Sequence, residues 1–391
     1  MHPEGRIFEM ATNLNTQNTE RAKQYKRAKI AMFVVGLVFS WISAAILLFT
    51  GGSRKLTDKT ANRINNRYAS EGATVTLLLL LSWIISFPLA WLRGYRLEHQ
   101  FDMSNQSFAG WLGDELKSLA IQMALMVPMS QVMLGVIRRW PRNWWAVLSA
   151  MAVPFTVVLA HLAPVLILPL FNTYQPIRDQ KLAERLKALA DRSGIHVAEI
   201  MEMDMSRQTK AANAFLTGIG STKRIVLADT LIEQFTHDEI ETIVAHEIAH
   251  QVNRDIWQML ALGVVTTTAT TWLAQRIFSG VQTRTSATTG IRGAGYVEAI
   301  PLLTLITSVL GMVFMPAQNA YVRFIERKAD RYALEMTGNP DAFKSSLGKL
   351  AEMNLADPDP PRLEQVLLHS HPSIADRQKA CDEFANEQDR R

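Results

Sequence analysis

The chain has 391 residues, of which 48% are hydrophobic and 20% charged, and its mean hydropathy is +0.03. This composition excludes a disordered or fibrous protein and predicts a membrane protein with a folded soluble part. The single cysteine, Cys381, excludes a disulfide framework and a thiolate zinc site, so any metal must be held by histidines and carboxylates. The formal net charge of +5 is scattered, which indicates attraction to anionic lipid headgroups and no nucleic-acid partner.

Six apolar runs are long enough to cross about 30 Å of hydrocarbon, which takes roughly 20 helical residues. A basic leader, residues 1–30, precedes the first run and is typical of a retained signal anchor. Four transmembrane helices are predicted in residues 31–171 and two in residues 256–320, and both termini then lie on the side of the leader, predicted to be the cytoplasm. The runs are residues 31–50, 74–92, 118–137, 144–171, 256–278 and 298–320.

Two polar segments, residues 172–255 and 321–391, flank the last two spans and must therefore meet on one face of the membrane. They predict one catalytic domain in two parts, the first with a helix followed by short strand-like runs and the second with C-terminal helices. The expected fold is a mainly α polytopic membrane protein with an α+β domain that contains a small antiparallel sheet.

A helix with metal-binding spacing is predicted at the end of the first part. Thr236 to Glu239 form a capping box, Thr at the N-cap and Glu three residues later, and His246-Glu247-Ile248-Ala249-His250 follows in the same helix. Two imidazoles four residues apart project from one face and can bind one zinc ion. Glu247 lies about 100° around the helix from His246 and can act on water without being a ligand.

A catalytic zinc needs a third protein ligand, and a later helix offers a carboxylate. Glu326 and Asp330 lie four residues apart on one helical face, as a ligand and a supporting carboxylate would. The spacing is equally compatible with an exposed charged helix in which Arg323, Glu326, Arg327 and Asp330 form solvated ion pairs. The pattern alone leaves both interpretations open.

From about residue 75 to residue 380, the sequence resembles the type I CAAX prenyl proteases, which are integral-membrane zinc metallopeptidases of the gluzincin kind. The order and approximate spacing of many short motifs agree with that family. These motifs are Leu97 to Phe101, Gln106 to Leu112, Ala163 to Asn172, Asn213 to Gly218, Arg224 to Leu231, Ala245 to Glu247, Glu326 to Asp330 and Ser370 to Pro372.

The resemblance implies a role for each matching residue. His246, His250 and Glu326 would bind one zinc ion per chain, Glu247 would be the general base, and Asp330 would orient a ligand. The family further implies that the Asn213 to Gly218 segment is an edge strand to which a substrate peptide adds. Asn213, Ala214 and Phe215 are the residues expected to bind substrate, and His371 and Arg377 would approach the reacting carbonyl.

Two departures from the family pattern stand out. Eukaryotic members have seven spans around a water-filled chamber, whereas this sequence shows six, the shortfall lying before residue 74. The family often has Ser before the Arg three residues upstream of the third ligand, and here that position is Val322.

The expected function is that of a membrane zinc endopeptidase acting on membrane-associated peptides, including prenylated ones. A quality-control protease without a prenyl requirement and a six-span transporter with a regulatory metal site are the alternatives. The membrane would be the inner membrane of a bacterium or the endoplasmic reticulum of a eukaryote. The sequence leaves the natural substrate and the oligomeric state open.

Overall fold

The computed structural model describes residues 3–218 and 220–390 and is dominated by helices. The predicted spans lie on long helices, two of which continue as short π-helical turns at Leu92–Arg96 and Ala163–Ile167. The helices are α1 Pro3–Phe49, α2 Gly52–Ala61, α3 Arg67–Trp91, α4 Leu97–Gln100, α5 Phe108–Arg139, α6 Trp144–Leu162, α7 Gln180–Arg192, α8 Asp229–Gln234, α9 His237–Val252, α10 Asp255–Thr289, α11 Ile300–Thr337, α12 Pro340–Met353, α13 Arg362–Leu368 and α14 Ile374–Asp389.

Four of the described helical stretches are long and apolar enough to cross a membrane, and a bent pair raises the number to five. The bent pair is Trp144–Ala160 with Ala163–Leu170. The predicted span at residues 256–278 lies on α10, which is long enough but is not among these helices because its central turns are rich in threonine. The four single helical stretches that could cross a membrane are Asn18–Phe49, Arg67–Gln100, Phe108–Arg139 and Val297–Thr337.

The sheet has four described strands in the order β1-β2-β4-β3, with β1 Tyr174–Pro176, β2 Glu199–Met203, β3 Ala214–Thr217 and β4 Arg224–Ala228. It is mixed and not antiparallel throughout as expected, because β2 and β4 pair in parallel. The hairpin between β3 and β4 turns at Gly218, whose φ is +88°. A Cβ there would lie 2.2 Å from the Thr222 carbonyl oxygen, so only glycine fits this turn.

One apolar core joins the sheet to the helices of the soluble domain. Leu182, Leu186 and Leu189 lie on one face of α7 and are fully buried, as the helical pattern predicts. Ile240 and Ile248 of α9 enter the same core, together with Leu347 of α12. The helix with the two histidines is therefore held rigidly from several sides.

The two parts of the soluble domain meet through α9 and α11, which pack against each other. Helix α11 runs for 38 residues without a break, from the apolar stretch at Ile300 to the polar end at Thr337. Glu326 therefore stands on the direct extension of a membrane helix. The two intervening long helices, α10 and α11, also pack against each other and return the chain to the α9 side.

Candidate metal centre

Helix α9 begins with the predicted capping box. The Thr236 side chain accepts from the Glu239 N–H, and the Glu239 carboxylate accepts from the Thr236 N–H at 2.8 Å. Ser345 and Lys349 of α12 also donate to Glu239, at 2.6 and 2.7 Å. The start of the helix is thus tied to the domain, which fixes the direction in which the histidines two turns later project.

The three predicted ligands come together at one point. His246 Nε2 lies 3.3 Å from His250 Nε2 and 3.3 Å from Glu326 Oε2, and His250 Nε2 lies 3.7 Å from Glu326 Oε1. The rings of the two histidines are perpendicular, with an interplanar angle of 89°. His246 and Glu326 are buried, and His250 is partly exposed.

The far nitrogen of each imidazole faces a carboxylate. Nδ1 of His246 lies 2.9 Å from Asp330 Oδ1, and Nδ1 of His250 lies 2.8 Å from Asp255 Oδ2. A carboxylate at Nδ1 favours the tautomer that keeps the proton there and leaves the Nε2 lone pair for a metal. Both histidines are therefore oriented toward the common point.

Sequence reasoning missed Asp255. It is the first residue of α10 and is buried, and it follows Arg254, whose φ of +56° places it in the left-handed region. This turn brings Asp255 back against His250, and Gln258 donates to its other oxygen at 2.9 Å. The sequence does show an acidic residue five positions after the second histidine. Whether its side chain points toward that histidine depends on the left-handed turn at Arg254.

We expect Asp255→Asn to weaken metal binding by about 10- to 100-fold, as is typical for partners of metal-binding histidines. The amide removes the charge that favours the His250 tautomer but keeps the shape of the side chain. Metal affinity is measured by competition with a chromogenic chelator. Asp191→Asn, on the exposed end of α7, makes the same chemical change away from the metal centre and serves as the control, which should bind metal like the parent.

The donor set fits a zinc ion. A tetrahedral zinc with bonds of about 2.0–2.1 Å holds neighbouring ligand atoms about 3.3–3.4 Å apart. Two distances, His246 Nε2 to His250 Nε2 and His246 Nε2 to Glu326 Oε2, are 3.3 Å and agree with this edge length, and one ligand atom from each of the three residues lies within 4.8 Å of the others. Two imidazoles and one carboxylate also form one of the ligand sets of catalytic zinc sites, which leave one position free for water or substrate.

The electrostatics of the site favour a positive charge at its centre. Burial lowers the pKa of His246, but its interactions with Asp330 and Glu326 outweigh this and raise the pKa to about 9. Burial raises the pKa of Glu247 above its ordinary value. Among the described residues, no protein group donates a hydrogen bond to the Glu247 carboxylate, which leaves it available to water or substrate.

His371 lies at the exposed rim of the site, in the loop before α14. Its Nδ1 is 2.8 Å from Glu326 Oε2, and more than half of its side chain is accessible. The sequence offered only a loop histidine before a proline, and the resemblance to the prenyl proteases was the signal that singled it out. The structure places it beside Glu326, the predicted carboxylate ligand.

Arg377, on α14, lies beside Asp330. Its Nε and Nη2 donate to the two oxygens of Asp330, at 2.9 and 2.6 Å, and its side chain is largely buried. Two of its three nitrogens are therefore occupied by Asp330, which in turn faces His246. Arg377 therefore holds the Asp330 carboxylate in place, and its approach to the reacting carbonyl stays a prediction.

The predicted substrate segment coincides with β3. This strand is at the edge of the sheet, and none of the described residues pairs with its outer side. Asn213 directly precedes the strand, while Ala214 and Phe215 are its first two residues. Helix α9 packs against β3, so the open edge lies in the same half of the domain as the histidines.

Comparisons with known proteins agree with this arrangement. The model of peptidase family M48 matches residues 176–385, and a second family model, the CAAX prenyl protease N-terminal region with five membrane helices, matches residues 8–173. The chain belongs to peptidase family M48. An uncharacterized metalloprotease of Bacillus subtilis, YhfN, is 31% identical to this M48 peptidase over 93% of the chain and 85% of its own length.

Two further relatives extend the comparison. CAAX prenyl protease 1 of Saccharomyces cerevisiae is 25% identical over 94% of this chain and 86% of its own length. The crystal structure of S. mikatae Ste24p matches the fold with a TM-score of 0.83 at 23% identity, covering 94% of this chain and 89% of that one. This M48 peptidase is therefore an integral membrane metalloprotease with the mainly α fold predicted from the sequence, apart from the mixed sheet and the number of helices that are apolar enough to span a membrane.

Proposed function

We propose that this M48 peptidase is a zinc endopeptidase that cleaves peptides associated with the membrane. The observation that carries the proposal is the convergence of His246, His250 and Glu326 at one point, with the unpaired carboxylate of Glu247 beside it. One zinc ion per chain would occupy this point. When bound, zinc acts as a Lewis acid that activates water and polarises a carbonyl.

The roles of the surrounding residues follow from their positions. Glu247 takes a proton from the attacking water and passes it to the leaving amine. His371, at the rim, donates a hydrogen bond to the developing oxyanion. Asp330 and Asp255 hold the imidazoles of His246 and His250 in the orientation that the metal requires.

The open edge of β3 supports binding of the substrate as an added strand. The Ala228 N–H donates to the Asn213 carbonyl at 2.9 Å, which makes this opposed pair a hydrogen-bonded one. Since such pairs alternate along antiparallel strands, Phe215 also bonds to β4, whereas the N–H groups of Ala214 and Leu216 point to the open edge. Of the three predicted residues, Ala214 thus offers its backbone to a peptide, and Asn213 and Phe215 offer only side chains.

Proline substitutions in β3 distinguish an N–H group that points to the open edge from one that bonds to β4. We expect Leu216→Pro to raise KM for peptides while the fold stays intact, because it removes an N–H that points to the open edge. Phe215→Pro should instead lower the thermal stability, since it removes a hydrogen bond to β4. Leu216→Ala controls for the lost side chain and should keep the parent KM. Equal KM values for Leu216→Pro and Leu216→Ala would exclude this edge as the substrate site.

The second part of the proposal concerns how the substrate peptide is attached to the membrane. Relatives bear the name CAAX prenyl protease 1, so a prenylated CAAX-type peptide is the substrate class we propose. A quality-control protease without a prenyl requirement is the second candidate, because the relative with 31% identity is a metalloprotease without that designation.

Cleavage of paired peptides, identical except for a farnesyl group on the cysteine, tests the proposal. The purified protein in lipid nanodiscs should cleave the farnesylated peptide with the higher kcat/KM. A chelator should abolish cleavage, and added zinc should restore it. Equal cleavage of both peptides would favour the second candidate, and cleavage that survives chelation would overturn the zinc assignment.

The sidedness of the catalytic domain also remains a proposal. The basic part of α1 contacts the soluble domain, as in the ion pair of Lys26 with Asp357, so both lie at the same end of the helices. Positive residues favour the cytoplasmic side, and we therefore propose a cytoplasmic catalytic domain. Labelling of a cysteine introduced at the exposed Lys379 by an impermeant reagent in intact cells would contradict it.

A further inference from the structure

The segment between α12 and α14 carries His371 to the rim of the metal centre. We call residues 357–373 the strap; it contains α13 and, near its end, His371. Within the strap, helix α13 has almost no apolar anchorage, whereas Pro360 and Pro372 near the two ends of the strap are buried. All seven residues of α13 are described and none is buried, and Leu363 is 72% exposed. The position of α13 therefore depends mainly on polar contacts to neighbouring helices.

Helix α11 supplies one set of these contacts. Arg323, one turn before the ligand Glu326, donates from Nη1 to the Gln365 carbonyl at 2.9 Å and also to the His369 carbonyl. Asn319 donates to the Leu367 carbonyl at 3.1 Å. These bonds fix the backbone immediately before His371.

The second set comes from the membrane helix α1. Lys26 Nζ lies 2.6 Å from Asp357 Oδ2 and 3.0 Å from Glu364 Oε1. The same oxygen of Glu364 is 2.9 Å from His369 Nε2, two residues before His371. The ion pair is largely shielded, since the side chains of Lys26 and Asp357 are only 15% and 4% exposed. Shielded pairs hold their geometry better than surface pairs, and losing one partner leaves a buried charge.

We propose that Lys26, on a membrane helix, is a positioning residue that holds the strap so that His371 stays over the metal centre. The inference rests on the proposed role of His371 at the oxyanion. Lys26 neutralises two carboxylates at the beginning of the strap, and Arg323 fixes its backbone further along. The imidazole of His371 is thereby kept beside Glu326 without any contact between Lys26 and substrate.

The consequence is a specific kinetic effect. Without the lysine ammonium, Asp357 and Glu364 repel each other and Asp357 stays buried without a counter-charge, so the strap moves away from α1. His371 then loses its alignment with the oxyanion. We expect peptide binding along β3 to stay unchanged, because none of the strap contacts named above involves this strand.

The test compares Lys26→Met with Lys23→Met, which removes an exposed ion pair three residues earlier on the same helix. We expect Lys26→Met to lower kcat by up to about 100-fold, the size of effect that a displaced catalytic group produces, with KM and bound zinc unchanged. Lys23→Met should match the parent. Lys26→Arg keeps the charge and should restore most of kcat.

A double variant separates positioning from a general loss of structure. Adding Lys26→Met to His371→Ala should cause no further loss of kcat, because the residue that Lys26 positions is already gone. Hydrogen exchange of residues 357–373 in the zinc-loaded Lys26→Met protein should rise, while exchange of α9 stays at the parent level.

The modes of failure are distinguishable. If His371→Ala cleaves at the parent rate, the proposed role of His371 is wrong, and the inference falls with it. If His371→Ala is impaired but Lys26→Met is fully active, the inference alone is overturned. It is also overturned if the losses of the two single variants multiply in the double variant.

Discussion

Replacing Glu247 with glutamine is expected to lower peptide cleavage by about 100- to 10,000-fold, the contribution typical of a general base, while the protein keeps its metal. The amide has nearly the same shape but cannot take a proton from water. Glu247 is not one of the three converging residues proposed as ligands, so zinc content measured on the purified variant should equal that of the parent.

Glu241→Gln is the matched control for this change. Glu241 lies on the same helix, but it pairs with Arg185 and Arg192 on the side away from the metal centre. This variant should cleave peptide like the parent. A Glu247→Gln protein that is folded but free of metal would show that Glu247 is a ligand, and the proton-transfer role would have to be assigned elsewhere.

The second large effect is expected at the third ligand. Glu326→Ala should remove the metal from the purified protein, because two imidazoles alone do not complete a catalytic zinc site. Asp330→Asn should retain a metal whose affinity is about 10- to 100-fold lower, since Asp330 acts through His246. Both affinities are measured by chelator competition at the same pH.

Folding has to be monitored in both variants, because Asp330 also neutralises the buried Arg377. Circular dichroism and the thermal transition provide that control. A weaker metal affinity in Asp330→Asn than in Glu326→Ala, with both proteins folded, would exchange the roles of the two carboxylates.

The parts of the site that depend on helical periodicity could be predicted from the sequence. His246 and His250 are one turn apart on α9, and Glu326 and Asp330 are one turn apart on α11, so each pair shares a face whatever the rest of the fold does. The spacing could not show that the two faces meet. That followed from the resemblance to the prenyl proteases, and the structure brings the three expected ligands within 4.8 Å of one another.

Contacts that depend on irregular backbone were beyond the sequence. The direction of Asp255 is set by the left-handed turn at Arg254, a conformation that arginine rarely adopts. The pairing of Lys26 with Asp357 joins residues at opposite ends of the chain. The basic residues of the leader indicate membrane topology, but the sequence does not show that Lys26 also forms an ion pair with the soluble domain.

The sheet shows a similar limit. Gly218 and Gly220, between two strand-like runs of the sequence, indicate a hairpin, and β3 and β4 form one with Gly218 at the turn. A local turn signal could not predict that β2 pairs with β4, because the chain passes through β3 before β4 returns to lie beside β2. This crossing makes the β2–β4 pair parallel, and no local pattern records it.

The separation of the ligands along the chain dictates an order of events during biosynthesis. His246 and His250 leave the ribosome before α10 and α11, and Glu326 stands on the polar end of α11. The metal centre is therefore incomplete until both long helices have been made and have paired. A nascent or wrongly inserted chain lacks the proposed third ligand at the centre, so it cannot cleave the other newly made membrane proteins around it. Hydrolysis therefore begins only after the helices have assembled correctly.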